Sequence, residues 1–135
     1  MKVLGILFFL VSVPPIVFPF PQSRYPIQEM LSWSGEASYY SRSGCLGCSE
    51  TFTMANGEPL DDGKETIAMI PVIVRRYKLL NRYVTVRNMK NDHIVRAKVT
   101  DTGGFAKYSR IADLSLATKQ AIQCGDLCEV EITAE

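Results

Sequence analysis

The chain is poor in the residues on which much hydrolytic chemistry depends. It has one histidine, His93, which lies beside Asp92 in a turn-rich stretch and reads as a solvated turn residue rather than a catalytic base. No Gly-x-Ser-x-Gly element is present, so a Ser–His hydrolase of that type has no nucleophile elbow to build on. Charge of one sign is scarce as well: Lys and Arg total 15, Asp and Glu total 14, and the formal net charge is +1. Nucleic-acid binding proteins usually carry a basic surplus or stripe, so no nucleic-acid partner is expected. Arg75, Arg76 and Lys78 cluster locally, as do Arg82 and Arg87, but their hydrophobic neighbours make a solvated strand edge the better reading. No cysteine precedes Cys45, so lipid attachment near the N-terminus is not expected. Repeats and low-complexity tracts are missing too.

What is present fits one globular domain. The 135 residues are 47% hydrophobic and 21% charged, enough for a single core with a short extension. Lys2 precedes a charge-free run from Val3 to Phe20, the layout of a secretory signal. Pro14, Pro15 and Pro19 work against a long spanning helix. Residues 1–22 are therefore expected to be a secretory signal or, through residues 3–20, an uncleaved membrane anchor. Residues 23–34 read as a linker and residues 35–135 as the domain. Export places the chain outside the cell, in the periplasm or at the envelope. Four cysteines follow, Cys45, Cys48, Cys124 and Cys128, which in an exported chain point to disulfides. Two bridges joining the first pair to the second are expected, since a bridge within Cys45–Cys48 makes a tight loop of the redox type. The rival is a zinc site, for which the spacing also serves.

Alternation marks the strands. Tyr83–Arg87 and Ile94–Thr100 both repeat with period two, and Asn88–Asp92 between them supplies turn residues, so a hairpin is expected. Further strands are expected over 35–40, 66–70 and 128–133. Val72-Ile73-Val74 also favours a strand. Residues 41–62, rich in Ser, Gly, Asn, Asp and Pro, form a long loop of the kind that is often functional. Ser115 is placed to cap a helix over 115–122 with Leu116, Ala117, Ala121 and Ile122 on its apolar face. Short strands with one or two short helices imply a compact β-barrel.

The strongest chemical candidate is Asp101. It ends a strand and enters Thr102-Gly103-Gly104, where glycines let the backbone turn and approach a ligand. A half-shielded carboxylate at a strand end suits general acid or base catalysis. The plainer alternative is an Asx-type turn in which the side chain caps its own loop. Asp-Thr-Gly also occurs in aspartic proteases, where two such aspartates share a proton, a reading that requires a dimer here.

Taken in order, the motifs Gly35-Glu36-Ala37-Ser38-Tyr39-Tyr40, Met54-Ala55-Asn56-Gly57-Glu58-Pro59-Leu60, the 83–100 hairpin, Asp101-Thr102-Gly103-Gly104-Phe105 and Arg110-Ile111-Ala112-Asp113-Leu114-Ser115 resemble the rare lipoprotein A family of septal-ring lytic transglycosylases. The resemblance covers nearly everything after residue 34. It implies a mainly β fold, a six-stranded double-psi β-barrel shared with expansins. It implies cleavage of the MurNAc–GlcNAc bond of peptidoglycan strands with 1,6-anhydro ends, by Asp101 as acid with Glu58 and Asp113 beside it, and no metal or cofactor. Tyr39, Tyr40, Asn56, Thr102, Gly103, Gly104 and Phe105 are the expected substrate contacts, in a monomer. Met69 stands where the family commonly has histidine. The alternative function is a non-catalytic, expansin-like wall-binding module, with Trp33, Tyr39, Tyr40, Phe105 and Tyr108 available to stack on sugars.

Overall fold

The computed structural model describes residue 16, residues 30–45 and residues 48–135. Apart from Ile16, the signal or anchor expected over residues 1–22 lies outside the described residues, as do linker residues 23–29. Six strands form one closed barrel: β1 (Ser32–Tyr40), β2 (Thr66–Met69), β3 (Tyr83–Asn88), β4 (Ile94–Thr102), β5 (Arg110–Ser115) and β6 (Cys128–Ala134). Around the barrel the order is β1-β5-β2-β4-β3-β6. β1 runs parallel to β5 and β2 parallel to β4, while the other neighbours are antiparallel.

The alternation seen in the sequence decides which side chains fill the barrel. Val84 and Val86 of β3, Ala97 and Val99 of β4, and Val130 and Ile132 of β6 are fully buried, and their strand neighbours face out. Ala37, Ile67, Met69, Ala112 and Leu114 complete the interior from the other strands. Burial of each Val, Ile, Leu or Met side chain contributes roughly 1.5–3 kcal/mol before entropy is counted. β1 begins three residues earlier than expected, because β6 pairs with it from Ser32 opposite Thr133 onward. Trp33 thus belongs to the barrel.

Two helices lie outside it. α2 (Leu116–Ala121) has its predicted cap: the Ser115 hydroxyl accepts a hydrogen bond from the Thr118 N–H at 3.2 Å. The segment expected as a strand around Val72 is instead α1 (Pro71–Tyr77). Pro71 in the first turn pre-sets the helical φ and needs no donor, Arg75 and Arg76 sit in the last turn, and Lys78 closes the helix in the left-handed region at φ 52°. Only Val74 of the three β-branched residues is buried, which a seven-residue helix over the barrel satisfies and an extra strand does not.

The cysteines also depart from expectation. Cys45 bonds to Cys48 and Cys124 to Cys128, with a Cα separation of 5.6 Å in each pair, so the cross-bridges expected from the sequence do not form. Cys124 and Cys128 pack against the barrel interior, whereas Cys45 and Cys48 pack against a second apolar cluster outside the sheet. The pairs are thus held apart by the barrel wall. With all four sulfurs bonded to sulfur, no thiolate remains for zinc.

Candidate functional site

The second cluster shows how the site is made. Tyr40, Met54, Leu60, Ala68 and Phe105 are buried together, with Cys45, Cys48, Phe52 and Ile70 packed on them. They join the outer face of β1 and β2 to the long loop and to the 3₁₀ turn Phe105–Tyr108. The loop is tied down by backbone bonds Met54 N–H to Glu58 O, Leu60 N–H to Phe52 O and Asn56 N–H to Thr100 O, at 2.8–3.1 Å. Between loop and sheet lies an open groove of about 1000 Å³.

The floor of this groove is a row across four neighbouring strands. Ser38 of β1 stands opposite Asp113 of β5, Asp113 opposite Ala68 of β2, and Ala68 opposite Asp101 of β4. All four residues line the groove. Two strand spacings separate the Asp101 and Asp113 backbones, about 10 Å. The side chain between them is only the methyl group of Ala68, and both aspartates line the groove above it.

The two aspartates are held differently. Asp101 Oδ1 accepts hydrogen bonds from the N–H groups of Ala55 and Thr102, both at 2.9 Å. The Thr102 bond is local but reaches only the next residue, so it is not the Asx turn of the plainer reading, which bonds two residues on. The Ala55 bond crosses to the long loop and fixes the loop and carboxylate together. Asp113 accepts a hydrogen bond from the Ser38 hydroxyl, and Ser38 in turn accepts one from Arg110 Nη1 at 3.1 Å. Burial pushes the Asp113 carboxyl above its ordinary range, against the opposing pull of Ser38 and Arg110, and the negative charge of Asp101 adds to the rise. Tyr40 is also pushed up, chiefly by burial and then by Asp101, so it stays a neutral phenol in the wall.

The other expected residues divide. Tyr39, Tyr40, Thr102, Gly103, Gly104 and Phe105 line the groove, although Tyr40 and Phe105 are buried wall residues. Tyr108 also lines it and is 60% exposed, with Lys107 and Arg110 beside its ring. Glu58 is not among the lining residues. Its carboxylate meets Lys98 Nζ at 2.8 Å on the barrel's flank, and that hydrogen bond holds its pKa below the usual carboxylate range. Asn56 is likewise absent from the lining: its amide donates to Asn81 and its oxygen accepts from Glu58 N–H, so it shapes the loop. Trp33 lies in a separate cleft with α1.

Ser38 and Arg110 were missed as site residues. Ser38 shares the outward face of β1 with Tyr40, a signal the alternation carries, but its partner Asp113 lies 75 residues away. Among the described residues no group of three or more His, Cys, Asp or Glu is arranged to hold a metal ion.

The barrel is similar to several solved structures. An apo expansin from Clavibacter michiganensis aligns over 78% of this chain and 51% of its own, at TM-score 0.56 and 18% identity. A point-mutant Clavibacter michiganensis expansin in complex with cellohexaose gives the same coverage and TM-score at 16% identity. The fold is a double-psi β-barrel. Another such barrel, the Streptomyces papain inhibitor, aligns over 78% of this chain and 96% of its own at TM-score 0.54 and 17% identity. At these identities the likeness concerns the fold, and the chain spans about half the length of the expansins. No family model matches the chain, and no curated protein matches it in sequence.

Proposed function

We propose that this double-psi barrel is an exported module that binds an extended cell-wall glycan strand in the groove. The observation that carries the reading is the row Ser38–Asp113–Ala68–Asp101 on the floor of an open groove. Carboxylates with free lone pairs accept hydrogen bonds from sugar hydroxyls, and the exposed ring of Tyr108 offers a face for stacking. A fold shared with an expansin in complex with cellohexaose supports a polysaccharide as the ligand. The two disulfides support an oxidising compartment and hence export. Sedimentation of the purified protein with insoluble peptidoglycan and with cellulose tests the reading. Retention is expected on one of them, weakened several-fold or more by Asp101→Asn, Asp113→Asn or Tyr108→Ala and unchanged by Glu58→Gln. Failure to bind either polymer, or equal retention of all three groove variants, would refute it.

A second reading has its own support: the raised pKa of Asp113, with another carboxylate across Ala68. It is the lytic transglycosylase activity implied by the sequence resemblance. In that reaction a carboxylic acid protonates the glycosidic oxygen as its bond to the muramoyl anomeric carbon breaks. The resulting carboxylate takes the proton of the muramoyl C6 hydroxyl as that oxygen bonds to the same carbon, and no water is consumed. The resemblance assigns the acid to Asp101, whereas burial favours Asp113 in that role, with Asp101 countering positive charge at the anomeric carbon. Mass spectrometry of digested peptidoglycan discriminates: anhydro ends from the wild type, lost in both Asp→Asn variants, support catalysis. Binding without products leaves the module reading alone.

A further inference from the structure

A second surface lies on α1 and the start of β1, well away from the groove floor. Trp33 is five residues upstream of Ser38 on the same strand, roughly 16 Å along it. Trp33, Val72, Ile73, Arg76 and Tyr77 line an apolar cleft of about 230 Å³, and the Trp33 and Tyr77 rings meet at a centroid distance of 5.3 Å. Val72 is 60% exposed and Leu31, immediately ahead of β1, is 43% exposed. Beside this apolar surface stand Arg75, Arg76 and Lys78, all exposed. Val72 is followed at three and four positions by Arg75 and Arg76, so apolar and cationic side chains share one helix face. Several basic residues of the barrel are ion-paired, such as Arg87 with Glu131 at 2.9 Å and Lys98 with Glu58 at 2.8 Å. Among the described residues no carboxylate pairs with Arg75, Arg76 or Lys78.

We infer that this face docks the barrel on the surface of an anionic lipid bilayer. The chemistry matches an interfacial site: aromatic rings and a branched aliphatic at the headgroup boundary, ringed by cations that meet lipid phosphates. A neutral protein partner accounts for the apolar cleft alone, whereas an anionic lipid surface also meets three cations that have no carboxylate partner among the described residues. The chain also reaches the barrel at this face, through Met30 and Leu31, after a sequence in which Val3–Phe20 carries no charge. Docking this way leaves the groove accessible, since the two surfaces share no lining residue.

Trp33 is the single tryptophan of the chain, so its emission reports on this face alone. Full-length protein is mixed with vesicles of phosphatidylcholine and phosphatidylglycerol whose acyl chains are brominated. A blue-shifted, quenched Trp33 is expected on the anionic vesicles, with much less quenching on pure phosphatidylcholine. Arg75→Gln with Arg76→Gln should lower the ratio of docked to undocked Trp33 roughly thirtyfold, each lost cation near the surface costing about a factor of five. Val72→Asn should lower quenching while leaving the fold intact, since its side chain is exposed. Equal quenching on neutral vesicles, or no effect of the paired Arg changes, would overturn the inference, because attachment would then come from the N-terminal run alone. So would concentration-dependent shielding of Trp33 from acrylamide without vesicles, which would show a second copy covering the face.

Discussion

At the scale of single residues, the site depends on neighbours more than on residue type. Asp113 titrates upward because burial costs its charged form more than Ser38 and Arg110 return. The folded protein then holds the Asp113 proton more tightly than the unfolded chain does. Its contribution to stability is complete below the unfolded value near 4 and is lost as pH rises through the folded pKa. Asp113→Asn removes that loss, so denaturant titrations should show the variant gaining on the wild type as pH climbs from 3 to 7. The opposite trend would mean that Arg110 stabilises an ionised Asp113. Gly103 is a second residue-scale case. A Cβ there would meet Phe105 Cε1 at 2.4 Å and Cδ1 at 2.6 Å, and Phe105 is buried in the second cluster. Gly103→Ala should therefore displace a wall of the groove and destabilise by about 1–3 kcal/mol, measured by urea unfolding.

At the scale of elements, the junction of β5 and α2 is held by a single side chain. Ser115 caps the helix, donates to Lys64 O at 2.7 Å and accepts from Thr66 N–H at 3.1 Å, so one hydroxyl joins three segments. Ser115→Ala removes the cap and leaves the buried Thr66 N–H without an acceptor. The expected cost is about 2–4 kcal/mol, from roughly 1 for a cap and 1–3 for an unsatisfied buried donor. A cost below about 1 kcal/mol in equilibrium unfolding would show that the junction rearranges. The disulfides act on short loops. Closing the loop between Cys124 and Cys128, four positions apart, contributes about 2 kcal/mol by chain entropy, against about 4.5 for a bridge joining the distant pairs. Replacing both by serine should cost about that smaller amount and leave the barrel folded.

At the scale of the whole molecule, barrel closure is what creates both surfaces. The parallel pairings β1–β5 and β2–β4 bring strands remote in sequence side by side and leave one outer face to be roofed by residues 48–62. The roof is bound to the floor through Asp101 and Ala55, so a ligand that occupies the groove should couple to global stability. A soluble glycan fragment at 100 times its dissociation constant should add about 2.7 kcal/mol to unfolding, read as a rise of roughly 10 °C in Tm. The rise should shrink in Asp101→Asn, to about half for a tenfold weaker complex, and persist unchanged in the paired Arg75 and Arg76 variants, because the α1 face lies outside the groove.

The sequence by itself determined the barrel's strands where the pattern is local. Val84 and Val86, Ala97 and Val99, and Val130 and Ile132 alternate with neighbours that point out of the barrel, and period two is a property of the strand alone. It also marked the Ser115 cap, whose helix-start chemistry is encoded within three residues. The α1 segment was misread because a β-branched triplet outweighed Pro71, yet only Val74 had a core position to fill. Tertiary structure alone decided the pairing of the cysteines, the removal of Glu58 to the Lys98 flank, and the meeting of Ser38, Arg110 and Asp113. Each of these depends on strand register and on which side of the barrel wall a residue emerges. Those are set by contacts between segments far apart in the chain, which no local pattern can carry.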